Sequence, residues 1–297
     1  MKLSPSFAGL ATAAYRVTEL YLPEQKRIID DRFTMKLLPP AWQAILTPLF
    51  LPGIRQLLLA WRERQAPGVQ GSLLCRTRTI DDALGEALEQ GVEQVVILGA
   101  GFDSRPYRIP GIDRTSVFEV ELPGPQKLKR ERLIKALGRI PSHVVFVPID
   151  FERQKLEDVM EEVNFRTGIQ TFFIWEGVTQ YITADAVDDT LRYVARVGGA
   201  GSEIVFTYIL RRIITGEDRS QAEERIVSFA ARVGSPWKFG FDPDEVDKYL
   251  AARGLSLIEE PGAQEWRTRY LEPIGRDLDI FKGERVVRAG VRETTMA

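Results

Sequence analysis

The sequence predicts an α/β protein, a doubly wound seven-stranded sheet with helices on both faces. Three observations point there. Short apolar runs recur between residues 94 and 208, and helical stretches separate most of them. A glycine-rich turn, Gly99-Ala100-Gly101, closes the first run. The chain has 297 residues and 44% hydrophobic content, enough to bury a full core.

Residues 6–64 read as helical, cut into pieces by Pro39-Pro40, Pro48 and Pro52-Gly53. Their aromatic and aliphatic side chains, Phe33, Leu37, Leu38 and Leu46 among them, must bury an apolar face. Residues 1–66 are therefore expected to form a helical cap. After the break at Ala66-Pro67-Gly68, residues 72–90 read as a helix, because Ile80, Leu84, Ala87 and Leu88 recur at helical spacing. Five strand-like runs follow at 94–98, 115–120, 144–149, 171–175 and 203–208. Helices are expected between them at 124–138, 152–166 and 184–197, which makes 72–208 the core of a parallel sheet. Residues 209–253 are charged and broken at Pro236 and Pro243, and read as a lid-like insertion. Residues 254–297 supply two closing strands, at 255–258 and 285–291.

Composition removes several classes of function. The chain carries 40 basic and 42 acidic residues, a formal charge of −2, so no electrostatic footprint for nucleic acid is expected. Lys127, Lys129, Arg130 and Arg132 form a local basic run that reads as a solvated helix face. Cys75 is the one cysteine, which excludes an internal disulfide or a thiolate metal site. His143 is the one histidine, so a His-rich metal centre is excluded, no metal is expected, and a serine triad would have to use that residue. Thr12, Arg16, Thr18 and Glu19 interrupt the apolar residues near the start, so no signal peptide is expected. No run of about 20 apolar residues suggests a membrane span. The expectation is a cytoplasmic protein without membrane partners.

Glycines at a strand-to-helix turn let the backbone approach a ligand. Position 104 is Ser104, not the third glycine of a dinucleotide fingerprint, so the turn alone could equally be a tight structural turn. The second strand, Phe118-Glu119-Val120-Glu121, places an acid about 20 positions past the glycines, where it could take both ribose hydroxyls of a nucleoside. Glu121 is nearer the carboxyl end and is the ribose candidate; the alternative is a surface acid. Asp150, after the third strand, could receive an adenine amino group with Phe151 touching the base, or could cap the next helix. Glu176, after the fourth strand, is costly unless paired or solvated, which makes it a functional candidate.

Taken together, four motifs carry a specific resemblance. They are Arg76-Thr77-Arg78-Thr79-Ile80-Asp81-Asp82, the run from Gln94 through Gly99-Ala100-Gly101-Phe102-Asp103-Ser104-Arg105, Phe118-Glu119-Val120-Glu121-Leu122-Pro123 with Lys127 beyond it, and Glu176-Gly177-Val178-Thr179-Gln180-Tyr181. Over about residues 10–210 the chain resembles the leucine carboxyl methyltransferase family, with its bacterial branch, including O-methyltransferases of polyketide pathways, closest. The resemblance implies the class I methyltransferase fold, with the last strand antiparallel beside the fifth, and S-adenosyl-L-methionine as cofactor. By position it implies that Arg76 pairs with the methionine carboxylate and that Gly99, Ala100, Gly101 and Asp103 belong to the cofactor turn. It further implies that Glu121 binds the ribose in place of the family's usual aspartate. Asp150 and Phe151 would contact adenine, and Glu176 would lie near the methionine end.

Methyl transfer is an in-line displacement that needs alignment and a lone pair. A carboxylate acceptor is already ionised near neutral pH. A hydroxyl would be helped by a base, for which Glu176 or His143 is available, although His143 lies at the wrong edge of the sheet. Tyr181 could orient a substrate or simply pack. Trp42, Phe50, Trp61, Phe229, Trp237, Phe239 and Phe241 could line an acceptor pocket or serve as core. The expected activity is O-methylation of a carboxylate or hydroxyl on a small molecule. The alternatives are a protein C-terminal carboxylate as acceptor, an NAD(P)-dependent oxidoreductase, and a non-catalytic binding subunit. Oligomeric state is not readable.

Overall fold

A computed structural model of the protein describes residues 6–150, 153–232 and 234–292, the side chains of residues 6–8 and of Phe50 excepted. Phe151 and the Phe50 side chain, both named above, lie outside the described residues. The seven strands are β1 (Gln94–Leu98), β2 (Ser116–Glu121), β3 (Val144–Pro148), β4 (Thr171–Trp175), β5 (Glu203–Ile209), β6 (Leu255–Glu259) and β7 (Glu284–Val291). They form one sheet in the order β3-β2-β1-β4-β5-β7-β6. The first five are parallel, and β7 inserts antiparallel between β5 and β6. Strand order reverses between β1 and β4, so the crevice for a ligand opens outside their carboxyl ends.

Period-2 geometry sends alternate side chains to opposite faces, and both faces are buried. One face carries Val96, Leu98, Phe173 and Trp175 against Val187 and Leu191 of a helix at Ala184–Val197. The other carries Val95, Ile97, Phe172 and Ile174 against Ile80 and Leu84. Trp175 is 2% exposed, and its truncation to alanine would cost about 3–5 kcal/mol.

The cap contains α1 (Ser6–Thr18), α2 (Thr34–Leu37), α3 (Pro40–Leu46) and α4 (Pro52–Gln65). Pro40 and Pro52 open α3 and α4, where a missing N–H costs nothing. Ala13, Ala14, Val17 and Leu38 of the cap pack with Phe102 from the glycine turn, so the cap is built onto that turn. A long helix, α5 (Val69–Glu89), leads from the cap into β1, and α6 (Pro123–Leu137) follows β2.

Two expectations need correction. The helix foreseen at 152–166 shrinks to α7 (Leu156–Glu161). Asn164 adopts a left-handed φ of 58°, which ends helical continuation and lets Phe165 turn inward, edge-on to Phe118 at 5.5 Å. The helix at Ala184–Val197 is α8; beyond β5 come α9 (Arg211–Thr215), α10 (Gln221–Arg232) and α11 (Pro243–Ala251). The sequence groups α11 with the lid, but Val246 and Leu250 are buried in the core and α11 packs on β6. A short α12 (Ala263–Trp266) then buries Trp266 beneath the sheet's other face.

Candidate active site

The turn after β1 is fastened from two sides. The amides of Gly99 and Ala100 both donate to the Val120 carbonyl, at 2.9 and 3.0 Å. Gly99 has φ +71°, and a Cβ there would lie 2.5 Å from Val178 Cγ2. Gly101 has φ +39°, and a Cβ there would project into the space toward Glu121 Oε2, 3.8 Å away. Only glycine leaves that cradle open.

Glu121 ends β2 and faces the cradle. Its Oε2 accepts from the Gly101 amide at 2.7 Å, and its Oε1 accepts from the Leu122 amide at 2.7 Å. Burial pushes its carboxyl above the usual range, against the two amides, which favour the charged form. The longer glutamate side chain thus folds back onto the turn.

Arg76 projects from α5 and Glu176 follows β4. Arg76 Nε donates to Glu176 Oε1 at 2.9 Å, and Arg76 Nη1 pairs with Glu284. Glu284 is the first residue of β7, and its other oxygen accepts from Ser72 Oγ at 2.6 Å. Glu176 Oε2 accepts from Arg105 Nη1 at 2.8 Å. Arg105 also binds Asp103 and Asp81, each at 2.7 Å. The network continues through Arg108 to Asp81 and Ser104, and from Ser104 to Asp31, which Arg16 of α1 holds at 2.9 Å. Arg16 Nη2 also donates to the Phe102 carbonyl at 2.7 Å, tying the cap to the cofactor turn.

This alternation of charge acts on the Glu176 carboxyl. Burial alone would raise the Glu176 carboxyl, but the guanidinium groups of Arg105 and Arg76 outweigh it and hold the group far below the usual carboxylate range. Such a group is a poor base, which argues against Glu176 as a proton acceptor and gives it the role of fixing two arginines. Burial pushes the Tyr181 phenol up, so it is neutral near pH 7. His143 lies just before β3, at the opposite edge, with Nε2 2.9 Å from the Pro106 carbonyl.

One cavity of about 730 Å³ collects most of the expected residues: Arg76, Gly99, Ala100, Gly101, Asp103, Glu121, Glu176 and Tyr181 all line it. Asp150 does not. Its carboxylate lies 3.5 Å from Arg153, and its carbonyl accepts the amides of Arg153 and Gln154 in a turn. The cavity continues along apolar walls from Tyr15, Ile226, Phe229, Trp237 and Phe281, with Arg62 and Lys238 among them. Of the aromatic residues that the sequence offers, Phe229 and Trp237 reach the cavity; Phe239 and Phe241 are instead core, edge-on at 4.8 Å, and Trp42 packs within the cap. Sequence reasoning missed Arg105, Glu284 and Arg16. Arg105 stands inside the glycine motif, whereas Glu284 lies one residue before the strand expected at 285–291 and 208 positions from Arg76.

Comparison with known proteins assigns the family. The model of the leucine carboxyl methyltransferase family matches residues 9–195, more than half of the chain. This chain belongs to that family. The methyltransferase is 34% identical over 210 residues to YktD of Bacillus subtilis, described as an S-adenosyl-L-methionine-dependent methyltransferase, covering 70% of this chain and 69% of the relative. It is 30% identical over 242 residues to a Mycobacterium marinum protein of the same description, covering 76% and 72%. Among solved structures, a methyltransferase from Thermobifida fusca superposes with a TM-score of 0.56 at 15% identity, covering 96% of this chain and 97% of that one. A DUF574-family protein from Streptomyces avermitilis gives 0.57 at 14%, covering 94% and 97%. These two share the fold. The protein is an S-adenosyl-L-methionine-dependent methyltransferase of class I architecture. The open cradle at Gly101 and the arginine-lined end of the cavity fit that cofactor.

Proposed function

We propose that the methyltransferase O-methylates a carboxylate on a small molecule with an apolar body. What supports this most is the chemistry of the cavity wall. Glu176 is held ionised by two arginines, the Tyr181 phenol stays neutral, and both Glu121 oxygens are held by backbone amides. None of the three is poised as a base, so the acceptor oxygen that suits the site is one already ionised. Arg62 and Lys238 supply positive charge on otherwise apolar walls. The volume of 730 Å³ suits a small-molecule site.

When bound, S-adenosyl-L-methionine supplies an electrophilic methyl group. Arg76 would hold its carboxylate, the Gly99–Gly101 backbone its chain, and Glu121 its ribose hydroxyls. The rest of the protein's task is alignment and exclusion of water, since charge is neutralised as the ester forms.

The test is incubation of the enzyme, cofactor and a fractionated metabolite pool, read by mass spectrometry. A methylated product that dilute alkali hydrolyses is an ester and supports the reading. An alkali-stable ether, a methyl ester found only on protein C-termini, or no methylated product would overturn it.

A further inference from the structure

The cap carries an apolar surface that the cofactor site does not use. Ile45 of α3, Leu51 before α4, and Ile54, Leu57 and Trp61 of α4 are 63%, 58%, 44%, 76% and 57% exposed. Ile54, Leu57 and Trp61 follow one another at i, i+3 and i+7, which places them on one ridge of α4. Across from them, α10 contacts α4 and presents Phe229, 50% exposed. Isolated exposed apolar residues need no explanation, but a contiguous ridge does.

The charges around this ridge share one sign. Arg64 lies on the same face of α4 as Trp61, and Arg225 and Arg232 flank Phe229 on α10 at i−4 and i+3. Arg62 and Lys238 stand at the cavity beside them. Among the described residues, none of these five cations has a carboxylate within 4.0 Å, whereas ion pairs are frequent elsewhere on the protein. The acids of the two helices are engaged. Glu63 accepts from the Gly68 amide at 2.6 Å, Glu223 is paired with Arg212, and Glu224 with Arg219.

From this we propose that the α3–α4 and α10 face docks on an anionic lipid surface, α4 lying in the interface with Leu57 and Trp61 inserted. Aliphatic and tryptophan side chains on one side, with unpaired arginines around them, are the pattern of an interfacial helix. No single described helix is long and apolar enough to cross a bilayer, and Pro40–Leu49 and Pro52–Gln65, which reach that length and composition only together, are bent by 109° at their break. A second copy of the chain fits less well. A two-fold contact would place this face against itself and bring Arg64, Arg225 and Arg232 toward their own mates. Docking this way turns the cavity, through Arg62 and Phe229, toward the bilayer, from which an apolar acceptor would enter.

The experiment is cosedimentation of the full chain with phosphatidylcholine vesicles with and without phosphatidylglycerol, for the native protein and a Leu57→Ser, Trp61→Ser variant. Both substituted residues are exposed, and an unchanged melting temperature confirms that the variant folds. The expected result is binding to the anionic vesicles that weakens with salt and falls about tenfold or more in the variant. No binding to anionic vesicles, or equal binding by the variant, overturns the proposal. So does sedimentation velocity showing a dimer that the double substitution abolishes, which would assign the face to a second copy.

Discussion

Arg105 and Glu176, 71 positions apart in sequence, are joined by a 2.8 Å ion pair that couples the glycine turn to the end of β4. Arg105 is 1% exposed and serves Asp81 and Asp103 as well. Removing it leaves three buried carboxylates short of a partner. Arg105→Met should therefore destabilise the protein by about 3–5 kcal/mol, seen as a lower urea midpoint. An unchanged midpoint would show that water or neighbouring arginines replace it.

Arg76 is placed to carry the cofactor's carboxylate. Arg76→Ala should weaken S-adenosylhomocysteine binding by calorimetry by about tenfold to a hundredfold. Arg76→Lys should recover only part of this, since an ammonium cannot span two acceptors in one plane. Affinity equal to the native protein in both variants would remove Arg76 from the site.

The pH dependence of stability follows from Glu176. Its carboxyl is held lower in the folded chain than in the unfolded one, so the unfolded state takes up the proton first as pH falls. The stability it contributes is complete above the ordinary glutamate range, about pH 4–5, and is lost progressively below it. The stability gap between the native protein and Glu176→Gln, from urea unfolding, should shrink between pH 6 and pH 3. A gap constant across that range would mean that the charge is not what holds the two arginines.

Cys75 is fully buried within α5, and burial pushes its thiol up to about 12. A thiol reagent at pH 8 should leave the native protein unmodified and label it fully in denaturant. Rapid labelling of the native state would indicate that α5 opens locally.

Phe229 and Trp237 wall the cavity beyond the cofactor residues. Phe229→Ala should raise the KM for the acceptor about tenfold while leaving S-adenosylhomocysteine affinity within a factor of about two. Equal losses for both ligands would mean that Phe229 acts on the cofactor as well.

The sheet was legible because its evidence is local. Runs such as Val95–Leu98 and Phe172–Trp175 are apolar throughout, and a strand buried on both faces has no other pattern to show. The glycine turn, Arg76, Glu121 and Glu176 were legible because the family motif surrounds each. What the sequence hid is long-range. Nothing near Glu284 announces a partner 208 positions away, and nothing near Arg16 announces the carbonyl of Phe102. Asp150 stands at a strand end as expected, but it is not among the residues that line the cavity. The helix foreseen at 152–166 failed on Asn164, where a single left-handed residue outweighed the helical composition around it.

The reversed strand β7 has a consequence in time. Because it runs against its neighbours, its first residue, Glu284, pairs with Ile209 at the edge where the parallel strands end. Arg76 therefore receives one of its two carboxylate partners from a segment made 208 residues after it. During synthesis the glycine turn, Glu121 and Glu176 all emerge well before the arginine beside them is fully neutralised. A nascent chain halted before residue 284 would hold the glycine turn beside a half-paired guanidinium, so the charge balance at this end of the cavity is reached only once β7 is made.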